Sequence, residues 1–159
     1  MIGQPSHAGS DRNDRGRQYL ESSIRAASPA RLRLMLIERG IRVAECLAES
    51  WCSGSARGTN EHSIRLLDIL NELLRGVVGG ETEEENQVCH QVADLYVFLT
   101  QHLLAAEAES DDNSITEIMT ILEIEAETWR AVCAREVATS MKAPAGPMGS
   151  NTRGLNLEA

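Results

Sequence analysis

The sequence predicts an all-α protein, an antiparallel up-and-down four-helix bundle with a short N-terminal helical segment and disordered ends. Three observations point there. Apolar residues recur at spacings of three and four through four long segments, the period of a helix that buries one side. Capping residues open those segments, and Gly, Ser, Asp or Asn clusters close them. The breaks between segments are short, which sets consecutive helices antiparallel. No internal repeat and no β-pattern of useful length interrupts the series.

The first long helix, Ala27 through Ala48, has the clearest start in the chain. Ser28 can accept free amide hydrogens of the first turn, and Pro29 has a preset φ and no N–H to leave unpaired there. Around this helix Leu32, Leu36, Val43 and Leu47 form one stripe, expected to face the core. A second stripe, Leu34, Ile37, Ile41, Ala44 and Ala48, leaves Arg31, Glu38, Arg42, Glu45 and Glu49 only a narrow polar arc. One small bundle does not easily bury both. The second stripe either meets a neighbouring helix or the N-terminal segment, or forms a groove for an apolar helix of another protein.

The helix stops near Ser53-Gly54-Ser55, and Gly58-Thr59-Asn60 offers a cap for the next. The second helix, about Glu61 to Val78, is carried by Ile64, Leu67, Leu70, Leu74 and Val78, with Leu66, Ile69, Leu73 and Val77 widening its apolar arc. Gly79-Gly80 ends it. Thr82 and Glu85 form a capping box with acids in the first turn, where the helix dipole favours them. The third helix, about Glu83 to Ala108, aligns Val88, Val92, Leu95, Leu99, Leu103 and Ala106. Asp111 to Ser114 breaks it, and Ser114 with Glu117 repeats the capping-box spacing. The fourth, about Ile115 to Thr139, has Ile118, Met119, Leu122, Ala126, Trp129 and Cys133 as its core stripe, with Ile121 and Ile124 off it.

The ends read differently. Residues 1–18, rich in Gly, Ser, Asp and Asn, are expected as a flexible tail, residues 19–139 as the bundle, and residues 140–159, with Pro144 and Pro147, as a disordered tail. Tyr19, Leu20 and Ile24 suit one or two helical turns before Ser28. Tyr19 would anchor this segment to the bundle or serve as a detachable cover for the groove.

Composition narrows the function. A formal net charge of -9 argues against nucleic acid or an anionic membrane as the main partner, both of which select basic surfaces. The charge is uneven: eight of the 15 basic residues fall between Arg12 and Arg42, whereas Glu81 to Glu127 holds 13 acids and no Lys or Arg. The acidic run reads as solvated helix faces. Aromatics are 3% of the chain, so aliphatic side chains supply most of the packing, with Trp129 the expected single anchor of the core. Cys46, Cys52, Cys89 and Cys133 lack CxxC spacing and are expected as small buried residues in a reducing compartment. With no signal-peptide pattern and no long apolar run, a soluble cytosolic protein without membrane insertion is expected.

Catalytic patterns are sparse, and no enzyme activity, cofactor or metal is expected. None of His7, His62, His90 or His102 follows a glutamate by three residues, as a di-iron bundle requires. Cys89 and His90 are adjacent, so on a helix they diverge by about 100° and do not chelate together. Phosphotransfer needs an activated histidine; His90 and His102 are placed for it, but neither has a Lys or Arg beside it. P-loop, GxSxG and dinucleotide fingerprints are missing. The affirmative signal is surplus apolar helix surface, which points to binding.

Several segments carry a family likeness. Tyr19, then Ile24-Arg25-Ala26-Ala27-Ser28-Pro29-Ala30-Arg31-Leu32-Arg33-Leu34-Met35-Leu36, resembles the opening of the flagellar secretion chaperone FliS family. Leu95-Tyr96-Val97-Phe98-Leu99 with Leu103 resembles that family's third-helix segment, and Glu117-Ile118 through Leu122 to Trp129 its closing helix. The likeness covers about residues 19 to 135. Leu36-Ile37-Glu38-Arg39-Gly40 stands where the family usually has Leu-Tyr-Asp-Gly-Ala, and the customary arginines near Gln101-His102 are missing. The chain therefore resembles a divergent member.

The resemblance implies a cytosolic chaperone that binds the C-terminal segment of flagellin, prevents premature polymerisation and presents the segment to the flagellar type III export apparatus. The residues expected to bind it are Tyr19 and Ile24, Leu34, Ile37, Ile41 and Ala44 on the first long helix, Leu66, Ile69 and Leu73 on the second, and Ile121 and Ile124 on the fourth. The rival expectation is a helical scaffold whose surplus stripes meet a second copy of the same chain.

Overall fold

The computed structural model describes residues 10–142. Five helices follow in order: α1 (Ser10–Ala26), α2 (Pro29–Cys52), α3 (Glu61–Arg75), α4 (Glu83–Glu109) and α5 (Asp112–Lys142). The all-α class is as the periodicity predicts, and no strand occurs among the described residues. α1 starts at Ser10, well inside the stretch expected as a tail, and α5 continues to Lys142. Residues 1–9 and 143–159 lie outside the described part of the chain, as does the side chain of Ile24.

Local chemistry sets the helix ends. Ser28 is extended (φ -63°, ψ 158°), and its hydroxyl accepts the Arg31 amide hydrogen at 3.2 Å just before Pro29. Asn60 accepts the amides of His62 and Ser63, while the Ser63 hydroxyl takes the Asn60 N–H at 2.9 Å. The Thr82–Glu85 box forms in both directions at 3.2 Å. α3 ends at Arg75 rather than Val78, because Gly76 closes it by donating to the Glu72 carbonyl at 3.0 Å.

The start of α5 corrects the expected Ser114–Glu117 box. Ser110 adopts a left-handed conformation (φ 55°) that turns the chain, and Asp111 accepts the Asn113 amide at 3.1 Å and the Ser114 hydroxyl at 2.7 Å. The nearer carboxylate captures the hydroxyl that would otherwise have capped the helix. Those bonds, Ser114's first, hold the Asp111 carboxyl below its ordinary range.

α2 packs along α3 and α5, and α4 packs along the same two helices, so α2 and α4 stand diagonally across the bundle. Among the described residues, α1 forms no comparable packing with any of them. Cross-helix pairs give the sense of each neighbour. Ser28 donates to Glu136 at 2.7 Å and Arg130 pairs with Glu38 at 3.0 Å, so α2 and α5 run in opposite directions. His102 meets Glu117 at 2.9 Å and Tyr96 donates to Glu125, so α4 and α5 do too.

Which side of α2 turns inward differs from expectation. Ala30, Leu34, Ile37, Gly40, Ala44, Leu47 and Trp51 are buried, whereas Leu32 is exposed and Leu36 and Val43 are half-buried. Of the stripe expected to be surplus, Leu34, Ile37 and Ala44 are core and Ile41 and Ala48 pack half-buried against it; of the stripe expected to be core, Leu47 is buried, Leu36 and Val43 are half-buried and Leu32 is exposed. The reason is size. A Cβ on Gly40 would stand 3.3 Å from Ile69 Cγ2 and 3.4 Å from Leu122 Cδ1, so only this face lets α3 and α5 approach so closely.

Two further expectations are corrected. Trp51, not Trp129, is the buried tryptophan, and its Nε1–H donates to the Gly58 carbonyl at 2.9 Å. Trp129 is half-buried. Cys46 and Cys52 are exposed, and Cys89 and Cys133 are half-buried; all four are free thiols. Cys46 precedes buried Leu47 and so points off the core side of the helix.

Candidate partner-binding surface

The N-terminal half of α2 is the spine of a continuous groove. On its α5 side a depression of about 650 Å³ is lined by Ser28, Arg31, Leu34, Cys133, Ala134 and Val137, among others. On its outer side one of about 460 Å³ runs along Arg31, Leu32, Met35, Leu36, Arg39 and Arg42. Toward the end of α3 a third, about 350 Å³, is lined by Pro29, Leu32, Arg33, Leu36, Leu73 and Trp129. The first two share Arg31, and the last two share Leu32 and Leu36, so the three join into one strip around the helix.

The strip is apolar along its middle and basic at its rim. Arg31, Arg39 and Arg42 are exposed, while Glu38 is engaged by Arg130 and Glu72 by Arg75. Within a chain of net charge -9, this is a local reversal of sign. Such a surface can bury aliphatic side chains of a partner helix and attract acids at its flanks.

Beneath the strip lies a polar knot. Arg33 sits with its guanidinium carbon 5.1 Å from the Trp129 ring centre and 5.2 Å from that of Tyr96, and donates to the Leu73 carbonyl at 3.2 Å. Tyr96 in turn donates to Glu125. Burial first, then the Glu125 bond, pushes the Tyr96 phenol far above its ordinary range, with Arg33 opposing. Three helices and the end of a fourth thereby converge under the groove floor.

The residues nominated from the sequence fall into three groups. Leu34, Ile37, Ala44, Leu66, Ile69 and Leu73 are buried core residues, shared between α2 and α3; Leu34 and Leu73 also form part of the floor of the strip, and the other four do not line it. Ile41 and Ile121 are half-buried against that core. Tyr19 and Ile124 are exposed, on α1 and α5 respectively, and the bundle does not bring them onto the α2 strip. Leu32, Met35, Leu36 and Val137, which line the strip, were not nominated. No arginine pattern separates the two sides: Arg31 stands three residues before Leu34 and Arg33 four before Ile37, just as Arg39 and Arg42 follow Leu36 and Met35.

Among the described residues no group of three or more His, Cys, Asp or Glu side chains is placed to hold a metal ion. His102 stacks on Phe98, with ring centres 5.4 Å apart, and is engaged by Glu117. None of the described helices is long and apolar enough to cross a membrane.

Neither a comparison with curated proteins nor one with solved structures returns a match. A comparison with protein families does: the family model described as flagellar protein FliS matches residues 12–136, from α1 to the last turns of α5. That span takes in α2, α3, α4 and most of α5, with every strip residue except Val137, and on it the chain belongs to the FliS family of flagellar proteins.

Proposed function

We propose that this chain is a non-enzymatic cytosolic export chaperone that binds the C-terminal segment of flagellin, keeps it from polymerising early and delivers it to the flagellar type III export apparatus. Family membership supports the flagellar export role. The observation that carries the binding reading is the joined apolar strip along the N-terminal half of α2, with Leu32 at its centre still exposed in the single chain. A disordered segment folding as amphipathic helices on this strip would offset its ordering entropy by burying Leu32, Met35, Leu36, Trp129 and Val137.

The test is calorimetric titration of the purified chain with intact flagellin and with flagellin lacking its C-terminal segment. Binding to the first and not the second is expected. Leu32→Asp should weaken binding at least about tenfold, equivalent to about 1.4 kcal/mol, with helical circular dichroism unchanged. Ile37→Asp, which places a charge among core residues, should unfold the bundle instead. Equal binding of the two flagellins, or full affinity in folded Leu32→Asp, overturns the reading.

A further inference from the structure

The guanidinium of Arg33 is held in place but only partly satisfied. It lies over the rings of both Tyr96 and Trp129, and its Nη1 donates to the Leu73 carbonyl. Nε and Nη2 are buried and have no hydrogen-bond partner among the described residues. These two nitrogens form one edge of the group, with N–H bonds side by side, and that edge takes both oxygens of a carboxylate at once. Leaving it unpaired in the interior costs stability, so a cation kept there calls for a partner from outside the bundle.

Two carboxylates of this region are engaged elsewhere. Glu72 pairs with Arg75 at 3.6 Å, and Glu125 accepts the Tyr96 hydroxyl. Arg33 also lines the cavity of about 350 Å³ at the α3 end of the strip, beside Leu32, Leu36, Gly76 and Trp129. Gly76 leaves room next to the guanidinium, since a Cβ there would stand 3.3 Å from Nη1. A charged group with an unpaired two-donor edge thus adjoins an apolar cavity on the surface already read as the seat of a partner helix.

We propose that this cavity receives a carboxylate, an Asp or Glu side chain on the strip-facing side of a bound client helix, and that Arg33 pairs with it through Nε and Nη2. The half-buried Trp129 ring turns aside to admit it, and Leu32 and Leu36 cover the stem of the acid from water. Arg33 is thereby a specificity residue. An amphipathic helix without an acid at that position closes the strip over an unpaired cation, and the orphaned donors count against it. Inorganic phosphate offers similar oxygens but no apolar stem for the leucines to cover. This inference rests on the reading of the α2 strip as the client's seat and adds what that seat selects.

The test is calorimetric titration of the full chain with a peptide of flagellin's C-terminal segment, and with a set of peptides in which each Asp or Glu is replaced singly by Asn or Gln. One replacement should weaken binding to the wild type at least about tenfold, and binding to Arg33→Met by less than about twofold. Arg33→Met and Arg33→Lys should each bind the unaltered peptide at least about tenfold more weakly with helical circular dichroism unchanged, because lysine keeps the charge but not the paired edge. The loss should persist at about 1 M salt, where exposed pairs made by Arg31, Arg39 and Arg42 are screened. If Arg33→Met misfolds, Arg33→Lys decides. Full affinity in either folded variant, the lack of any acid whose replacement depends on Arg33, or displacement of the peptide by millimolar inorganic phosphate overturns the proposal. A wild type that does not bind the peptide defeats the function proposed above and this inference with it, whereas binding that is indifferent to Arg33 defeats only this inference.

Discussion

The guanidinium carbon of Arg33 lies 5.1 Å from the ring centre of Trp129, inside the junction of α2, α4 and α5. Its Nη1 reaches the Leu73 carbonyl, but Nε and Nη2 are buried without a hydrogen-bond partner among the described residues. A buried cation so thinly satisfied is an expensive way to fill space, and an apolar chain of similar length can replace it. Arg33→Met is therefore expected to change stability to urea by no more than about 1 kcal/mol, the gain from removing two orphan donors offsetting two lost cation–π contacts. Arg33→Ala, which empties the site, should lose about 2 to 4 kcal/mol.

Tyr96 carries the alkaline limb of the stability profile. Its folded pKa is raised by burial and by Glu125, while the unfolded phenol titrates near its ordinary value of about 10. Above that pH the unfolded chain releases a proton that the folded chain retains, so stability falls as pH rises through and beyond about 10. Tyr96→Phe should flatten this decline, measured as the thermal midpoint between about pH 8 and pH 11. An unchanged slope would mean that burial and Glu125 do not hold the phenol in its protonated form.

Gly40 sets the distance between helices. A single methyl gains about 1 kcal/mol of helix propensity while crowding Ile69 and Leu122 by a few tenths of an ångström, so Gly40→Ala should leave stability near wild type. Gly40→Val adds two more carbons where no room remains and should cost about 1 to 3 kcal/mol in urea denaturation.

Gly58 holds the far end of the bundle. With φ at +66° it accepts the Trp51 indole N–H at its carbonyl, and its own amide donates to Ser110 Oγ at 2.7 Å, tying the α2–α3 loop to the end of α4. An alanine there is strained, so Gly58→Ala should cost about 1 to 2 kcal/mol. Trp51→Phe, which keeps the bulk but not the donor, should cost about 1 kcal/mol, and the indole fluorescence change on unfolding then reports Trp129 alone.

Much of the fold was legible because it depends on neighbours in the chain. Ser28-Pro29, Asn60 and the Thr82–Glu85 box each place a helix start through bonds that span three residues or fewer, and the apolar period marks the rods between them. The binding surface was less legible. Leu34, Ile37 and Ala44 are as apolar as Leu32 and Leu36, so nothing in one helix alone distinguishes the side that packs from the side that stays outside.

The sequence by itself determined where α2, α3 and α4 start, that the chain is all-α, and through the order of its segments which family it resembles. Only the tertiary structure decided that Gly40 and Ala44 face inward and Leu32 faces outward. A helix end is set by hydrogen bonds within one turn, but the orientation of a helix is set by how closely others can approach it. That depends on the small residues of α2 meeting Ile69 of α3 and Leu122 of α5, which the chain brings together only on folding.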